Sequence, residues 1–215
     1  MLQVYLVRHG ETLWNAARRI QGQSDSALTE KGEQQAHQVG ERVKHLGITH
    51  VISSDLGRTK RTAEIIADAC GCHVQLDPRL RELNMGVLEQ RPLDSLTEEE
   101  ESWRKTLVDG TENGRIPNGE SMTEMATRMH DALNACLKLP AGSRPLIVSH
   151  GMALGVLVST LLGLPAHAER RLRLRNCSLS RVDHQQSAWL AEGWVVETAG
   201  DVSHLAEPAL DELQR

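Results

Sequence analysis

Apolar positions in this chain follow two rhythms. Short unbroken apolar runs are followed by longer stretches in which apolar residues recur at three- and four-residue steps. Val4-Tyr5-Leu6-Val7 is the first run and predicts a buried strand. Thr29 is a helix cap ahead of Glu30 and Glu33, and the helix carries Ala36, Val39, Val43 and Leu46 on one face. Gly47 is placed to end it. Ile48 to Ser53 predicts a second strand, Ser54-Asp55-Leu56-Gly57 a turn, and residues 58–70 a helix with Ala63, Ile66, Ala67 and Cys70 inward. His73 to Leu76 predicts a short third strand, broken by Asp77-Pro78. Ser121-Met122-Thr123-Glu124 is a capping box, and the helix that follows to Leu139 turns Met125, Met129, Leu133 and Cys136 inward. Pro145 to Val148 predicts the fourth strand, and an apolar helix spans residues 152–162.

The remaining segments carry weaker patterns. Glu98 to Glu101 is an acidic run that suits a solvated helix face, and Gly110, Gly114 and Pro117 mark a loop. Arg171-Leu172-Arg173-Leu174-Arg175 alternates strictly and predicts a half-exposed strand or sheet edge. Ser178 to Asp183 and Trp189 to Thr198 predict two more strands, joined by a turn at Gln185-Gln186-Ser187. The tail, residues 207–215, has Leu210 and Leu213 in a polar setting and reads as a short docked helix or a frayed end. With no repeat and no linker, one domain over residues 1–215 is expected. Strand–helix alternation predicts an α/β fold of three layers, a mostly parallel mixed sheet with helices on both faces.

Composition narrows the function class. The chain is 40% hydrophobic and 25% charged, as in soluble globular proteins. It has no Phe and one Tyr, which leaves little for base stacking, and its net charge of -5 argues against a nucleic-acid surface. No apolar run approaches the ~20 residues of a membrane span, and no secretion signal is present, so the cytoplasm is the expected location and no membrane partner is expected. Cys70, Cys72, Cys136 and Cys177 contain no C-x-x-C pair. They read as reduced, mostly buried thiols; Cys70-Gly71-Cys72-His73 lacks the spacing and partners of a zinc site.

The chemistry collects at strand ends. In open α/β sheets, ligands bind beyond the carboxyl ends of the strands. The first strand ends in Arg8-His9-Gly10, the second leads to Arg58 at a helix N-terminus, the third to Glu82, and the fourth ends in Ser149-His150-Gly151. Gly10 allows the backbone to approach a ligand closely. In a parallel sheet all of these share one rim, so one pocket holds two guanidiniums, two imidazoles and one carboxylate. That set suits a phosphate monoester, because arginine forks match phosphate oxygens and helix N-termini favour anions. No carboxylate cluster is present to hold magnesium and no P-loop pattern occurs, so a metal-free site is expected, with arginines neutralising charge. An imidazole flanked by arginines resists protonation and can act as a nucleophile, while Glu82 can give and take the proton. Two ordinary alternatives stand beside these roles: Glu82 as an ion-pair partner of Arg79 or Arg81, and His150 as a core histidine bonded to backbone.

At these residues the chain resembles the histidine phosphatase superfamily, in its phosphoglycerate mutase-like branch. The resemblance rests on Leu6-Val7-Arg8-His9-Gly10-Glu11-Thr12, Asn15, Gln21-Gly22, Ser53-Ser54-Asp55-Leu56-Gly57-Arg58-Thr59, Arg81-Glu82-Leu83 with Gly86, and Ser149-His150-Gly151. It implies that His9 becomes a phosphohistidine, that Arg8, Arg58 and His150 hold the phosphate, and that Glu82 is the proton donor and acceptor. It also implies a substrate wall of Asn15, Gln21, Gly22, Asn84 and Gly151, with Gly10, Glu11, Thr12, Leu83, Met85 and Met152 beside them and Lys60 within reach. Trp103-Arg104-Lys105 resembles the lid segment of cofactor-dependent mutases, which implies substrate contacts from Arg104 and Lys105. The loop Gly22-Gln23-Ser24-Asp25 resembles the small phosphatases instead.

The implied reaction is phosphoryl transfer on a small phosphorylated substrate, either interconversion of 2- and 3-phosphoglycerate or hydrolysis through the same intermediate. A third possibility is a pocket that binds phosphorylated ligands without chemistry. No tightly bound cofactor is implied, although a mutase uses 2,3-bisphosphoglycerate as phosphoryl primer. The expected assembly is a monomer or homodimer.

Overall fold

In the computed structural model, residues 1–187 and 190–206 are described. One six-stranded sheet forms the middle layer. Its strands are β1 (Leu2–Arg8), β2 (His50–Ser53), β3 (Val74–Leu76), β4 (Pro145–Ser149), β5 (Leu179–Ser187) and β6 (Leu190–Asp201), in the order β3-β2-β4-β1-β5-β6. The first four are mutually parallel, and β5 and β6 add an antiparallel ribbon at one edge. The mixed, mostly parallel α/β sheet expected from the pattern is therefore present.

Alternation along the central strands builds two cores. Val4 and Leu6 of β1 and Ile147 of β4 face α5 (Met122–Ala135) and α6 (Gly151–Leu161). Tyr5 and Val7, with Leu146 and Val148, face α2 (Glu30–Val43) and α3 (Gly57–Cys70). Met125, Met129 and Leu133 of α5, and Cys136 just after it, are all at most 1% exposed, so the methionine stripe is core. Burial raises the Cys136 thiol to about 11, as fits a packing residue. The helix starts are capped as the sequence indicates: Thr29 accepts from the Gly32 N–H, and Ser121 and Glu124 form a reciprocal box. Gly47, at φ 69°, closes the turn after α2.

Three expectations need correction or qualification. Residues 171–175 form no strand. Leu174 is buried and Leu172 half-buried in one core, and the Leu174 carbonyl faces no ladder partner but accepts from the Arg8 guanidinium at the sheet rim. Gln185-Gln186-Ser187 is not a turn but the end of β5, with Gln185 opposite Gly193 and Ser187 opposite Leu190. Trp189 and the tail, 207–215, lie outside the described residues. The acidic run at 98–101 opens α4 (Glu98–Val108), capped by Thr97 and Glu100.

Register decides what meets at the rim. Arg8 pairs with Ser149 and Ser53 with Val148, so His9, His150 and Ser54 follow β1, β4 and β2 in one row. Backbone bonds continue past the strands: His9 donates to the Ser149 carbonyl at 3.0 Å and Ser54 to the Val148 carbonyl at 3.0 Å. β5 runs the other way, so its beginning reaches the same rim.

Candidate active site

The nucleophile candidate is defined by one short bond. His9 Nδ1 lies 2.8 Å from the carbonyl oxygen of Gly10. A carbonyl only accepts, so Nδ1 carries the proton and Nε2 presents a bare lone pair. Burial, then the Arg58 and Arg8 guanidiniums, hold the imidazole well below its ordinary range of protonation. The ring is buried at 3% exposure. Its loop is packed tightly underneath, since a Cβ on Gly10 would sit 2.3 Å from the Gly32 carbonyl oxygen. The Gly10 N–H is taken by Thr62, and the Glu11 N–H by Gln35.

His150 stands beside it, with ring centroids 5.2 Å apart and planes at 64°. His150 Nε2 lies 3.0 Å from the Ser54 hydroxyl, which also accepts from the Leu56 N–H. In the tautomer in which Ser54 donates to Nε2 while accepting from Leu56, the His150 proton sits on Nδ1. That Nδ1 is buried and has no hydrogen-bond partner among the described residues. An unsatisfied buried donor costs about 1–3 kcal/mol, and a phosphoryl oxygen is a suitable acceptor for it. His150 is thus no ordinary core histidine bonded to backbone. Burial, followed by Arg58 and then His9, also keeps it neutral.

Arg8 and Arg58 flank the imidazoles, at 5% and 1% exposure. Arg8 donates through Nη1 to the Leu174 carbonyl at 2.8 Å, and its guanidinium lies against Gly151, where a Cβ would come within 3.1 Å. Arg58 is gripped by the loop after Gln21: Nη2 donates to the Gly22 carbonyl at 2.7 Å, and Nη1 to the Ser24 carbonyl at 2.7 Å and to Asp25 at 3.1 Å.

Glu82 is placed by a helix N-terminus. Its carboxylate accepts from the Leu83, Met152 and Ala153 N–H groups at 2.9, 3.1 and 2.9 Å. The dipole of α6 favours a carboxylate there. Arg79 and Arg81 are engaged elsewhere, with Asp77 and Asp55, so the ion-pair alternative for Glu82 does not hold.

The other residues of the expected wall are distributed as follows. Thr12 and Asn15 form the capping box of α1 (Leu13–Ala16), and Thr12 also donates to Gln21. Glu11 accepts from Thr29. Asn84 spends its side-chain oxygen on the Gly86 N–H. Leu83 and Met85 are buried in a core, and Met152 packs against that core while its N–H binds Glu82. Lys60 is exposed, 3.9 Å from Glu64 on α3, and Arg104 pairs with Glu101 on α4, with Lys105 exposed beside it. No bond joins these three to the histidine rim among the described residues.

The structure also supplies residues that motif reading missed. Asn176, fully buried, donates to the His9 carbonyl at 3.0 Å, and the Cys177 N–H donates to the Arg8 carbonyl at 3.0 Å. Cys177 adopts φ 53°, uncommon for a residue with a side chain, to make that contact. Glu89 accepts four hydrogen bonds, from the Gln23 N–H at 2.7 Å, the Ser24 N–H and hydroxyl at 2.8 and 2.6 Å, and the Met85 N–H at 3.2 Å. It ties the loop that grips Arg58 to the loop that carries Glu82. The signal was available for Glu89 only as an acidic residue shortly after Gly86; Asn176 carried none.

Comparison with known proteins identifies the family and the fold. A family model described as histidine phosphatase superfamily (branch 1) matches residues 4–197. A protein named probable phosphoglycerate mutase in Erwinia tasmaniensis is 86% identical over 215 residues, covering 100% of both chains. One of the same name in Cronobacter sakazakii is 79% identical, again over 100% of both. Among solved structures, YhfR of Bacillus stearothermophilus superposes with TM-score 0.87 at 29% identity, covering 95% of this chain and 99% of that one. A phosphoserine phosphatase mutant of Entamoeba histolytica, in complex with phosphoserine, superposes with TM-score 0.83 at 25% identity, covering 95% and 100%. Matched over most of its length by the family model, and carrying paired imidazoles between two arginines on one rim, the chain belongs to the histidine phosphatase superfamily.

Proposed function

We propose that this protein transfers the phosphoryl group of small phosphate monoesters through a phosphohistidine at His9 Nε2, with 2- and 3-phosphoglycerate interconversion as its reaction. The observation that carries the reading is the His9 Nδ1 bond to the Gly10 carbonyl, which leaves Nε2 unprotonated. The names of the 86% and 79% identical relatives support the choice of phosphoglycerate.

The Nε2 lone pair attacks phosphorus as the ester P–O bond breaks, and the departing alkoxide takes a proton from the Glu82 carboxyl. A second hydroxyl then gives its proton to the Glu82 carboxylate, its oxygen attacks phosphorus, and the P–N bond breaks to restore His9. Arg8, Arg58 and His150 Nδ1 balance the charge on the phosphoryl oxygens, without a metal ion. Asn15, Gln21, Gly22, Asn84 and Gly151 form the surrounding wall. In the mutase reaction the second hydroxyl belongs to the bound acid, and 2,3-bisphosphoglycerate primes His9. We place the enzyme in glycolysis in the cytoplasm, as one domain over residues 1–215, monomeric or dimeric.

Hydrolysis is the second reading, with water as the acceptor. The likeness to the Entamoeba phosphoserine phosphatase supports it. Incubation with 3-phosphoglycerate decides between them: 2-phosphoglycerate without free phosphate is expected of the mutase, and phosphate without isomer selects the hydrolase. Acid-labile phosphate on His9, lost together with turnover in His9→Ala, tests the shared intermediate. A variant that keeps full turnover overturns both.

A further inference from the structure

The loop that carries Glu82 is held from outside the sheet by one cation. Arg128, on α5, donates through Nη1 to the Arg79 carbonyl at 2.8 Å and the Arg81 carbonyl at 2.5 Å. Its Nη2 donates to the Glu82 carbonyl at 2.9 Å. Its Nε donates to Glu120 at 3.0 Å, and Nη2 bonds the same carboxylate. Glu120 in turn accepts the Asn84 N–H at 2.9 Å and returns its own N–H to the Asn84 carbonyl at 3.1 Å. The carbonyls of Arg79, Arg81 and Glu82 and both backbone polar groups of Asn84 thus bond this pair, with Gln23 Nε2 a second donor to the Glu82 carbonyl at 3.1 Å; Leu80 and Leu83 do not bond it. Those two are fixed otherwise: the Leu80 carbonyl accepts from Ser149, the residue before His150, and the Leu83 N–H binds Glu82 itself.

The arrangement has a specific chemical content. A short loop without ladder partners would leave its carbonyls to water, and its one carboxylate would wander by more than the fraction of an ångström that proton transfer tolerates. A guanidinium, with five donors in a rigid plane, can bind several carbonyls and a carboxylate at once. A lysine in the same place keeps the charge but has no planar fork. The pair is only partly exposed, with side chains 19% and 17% accessible, so it is shielded from the full screening of a surface bridge.

We propose that Arg128, oriented by Glu120, is the positioning residue for proton transfer by Glu82. This rests on the role given to Glu82 under Proposed function. Arg128 touches no substrate in this scheme. It sets the place of the Glu82 backbone, and the helix N-terminus then sets the place of the carboxylate.

Leaving-group dependence tests it. An alkoxide needs a proton as it departs, whereas 4-nitrophenolate leaves without one. The kcat/KM of such enzymes reports the steps through first departure, that is, formation of phosphohistidine. Arg128→Lys and Glu120→Gln are compared with the unmodified enzyme on an alkyl monoester, 3-phosphoglycerate, and on 4-nitrophenyl phosphate, with melting curves recorded for each. The expected result is a fall in kcat/KM of about tenfold or more on the alkyl ester and less than about threefold on the aryl ester. An equal fall on both, in variants that melt as the unmodified enzyme does, overturns the proposal by showing a general structural role, and no fall on either overturns it outright. If Arg128→Lys does not fold, Glu120→Gln decides by the same ratio. If the unmodified enzyme forms no phosphohistidine from either ester, it is the parent reading that fails, and Arg128 is then rejected with it.

Discussion

His9 and His150 meet edge to face at 5.2 Å and 64°, and each has one nitrogen committed to the protein scaffold. The Gly10 carbonyl fixes the first ring and the Ser54 hydroxyl the second. The Gly10 bond leaves a lone pair on His9 Nε2, and with Ser54 donating to His150 Nε2 the other ring offers an N–H at Nδ1. In the mechanism proposed above, a phosphoryl group between them would receive a nucleophile from one ring and a hydrogen bond from the other.

Both imidazoles are held well below the ordinary value of 6.5, so acid acts on them late. The acidic limb of kcat/KM for a phosphate monoester is expected below that value; a limb at or above it, assigned to His9, counts against the neutral nucleophile. Stability moves in the same direction. As pH falls through 6.5 the unfolded chain binds protons that the folded rings refuse, so the fold loses stability, and the loss levels off below the folded-state values. Denaturant titrations between neutral and mildly acidic pH measure this, and replacing both rings, His9→Asn with His150→Asn, should flatten the slope.

Gly10→Ala should be severe for the fold. The new Cβ would sit 2.3 Å from the Gly32 carbonyl oxygen, which is backbone and cannot rotate away. Overpacking of this kind costs about 1–3 kcal/mol or more, read as a drop in Tm of several degrees. Gly32→Ala, with its Cβ 2.0 Å from the Glu11 carbonyl oxygen, should behave alike. An unchanged Tm in both would contradict the tight seating of the nucleophile loop.

Glu89→Gln tests the tie between the Arg58 loop and the Glu82 loop. The Glu89 carboxylate accepts at both oxygens from three backbone N–H groups and one hydroxyl. An amide must turn its NH2 toward at least one of those N–H donors. The expected cost is about 1–3 kcal/mol of stability, with a rise in KM as the walls move apart. Calorimetry and steady-state kinetics on the same preparation check both, and a variant indistinguishable from the unmodified protein removes the tie.

Chelation should leave turnover unchanged. In the proposed mechanism the two buried guanidiniums meet the charge of the phosphoryl group, the work a divalent ion performs elsewhere. Prolonged treatment with EDTA followed by assay in metal-free buffer measures it. A loss restored by added divalent cation would show that Arg8 and Arg58 are insufficient.

Much of this site was legible before any coordinates, because strand ends announce themselves. Arg8, His9, Arg58, Glu82 and His150 each follow an apolar run or open a helix, and parallel pairing alone brings such positions to one edge. What stayed hidden were contacts made by backbone carbonyls, which every residue possesses. Leu174 serves Arg8 through its oxygen, and Asn176 reaches the His9 oxygen, so the alternation of Arg171 to Arg175 suggested a strand where the chain in fact forgoes ladder bonds. Arg128 looked like one more cation on an amphipathic helix, and only the fold shows that its fork lands on three carbonyls. Trp103-Arg104-Lys105 resembles a lid segment in sequence, and in the structure Arg104 pairs with Glu101 on α4.

Because β5 is antiparallel to β1, the rim is met by the end of an irregular connection, residues 162–178, and not by the end of a strand. Leu174, Asn176, Cys177 and Ser178, at the end of that connection, bond Arg8 and His9 of the nucleophile loop. The seat of the nucleophile is therefore built partly from the entry to an antiparallel ribbon, so a change that shifts the start of β5 is carried to His9 through main-chain bonds.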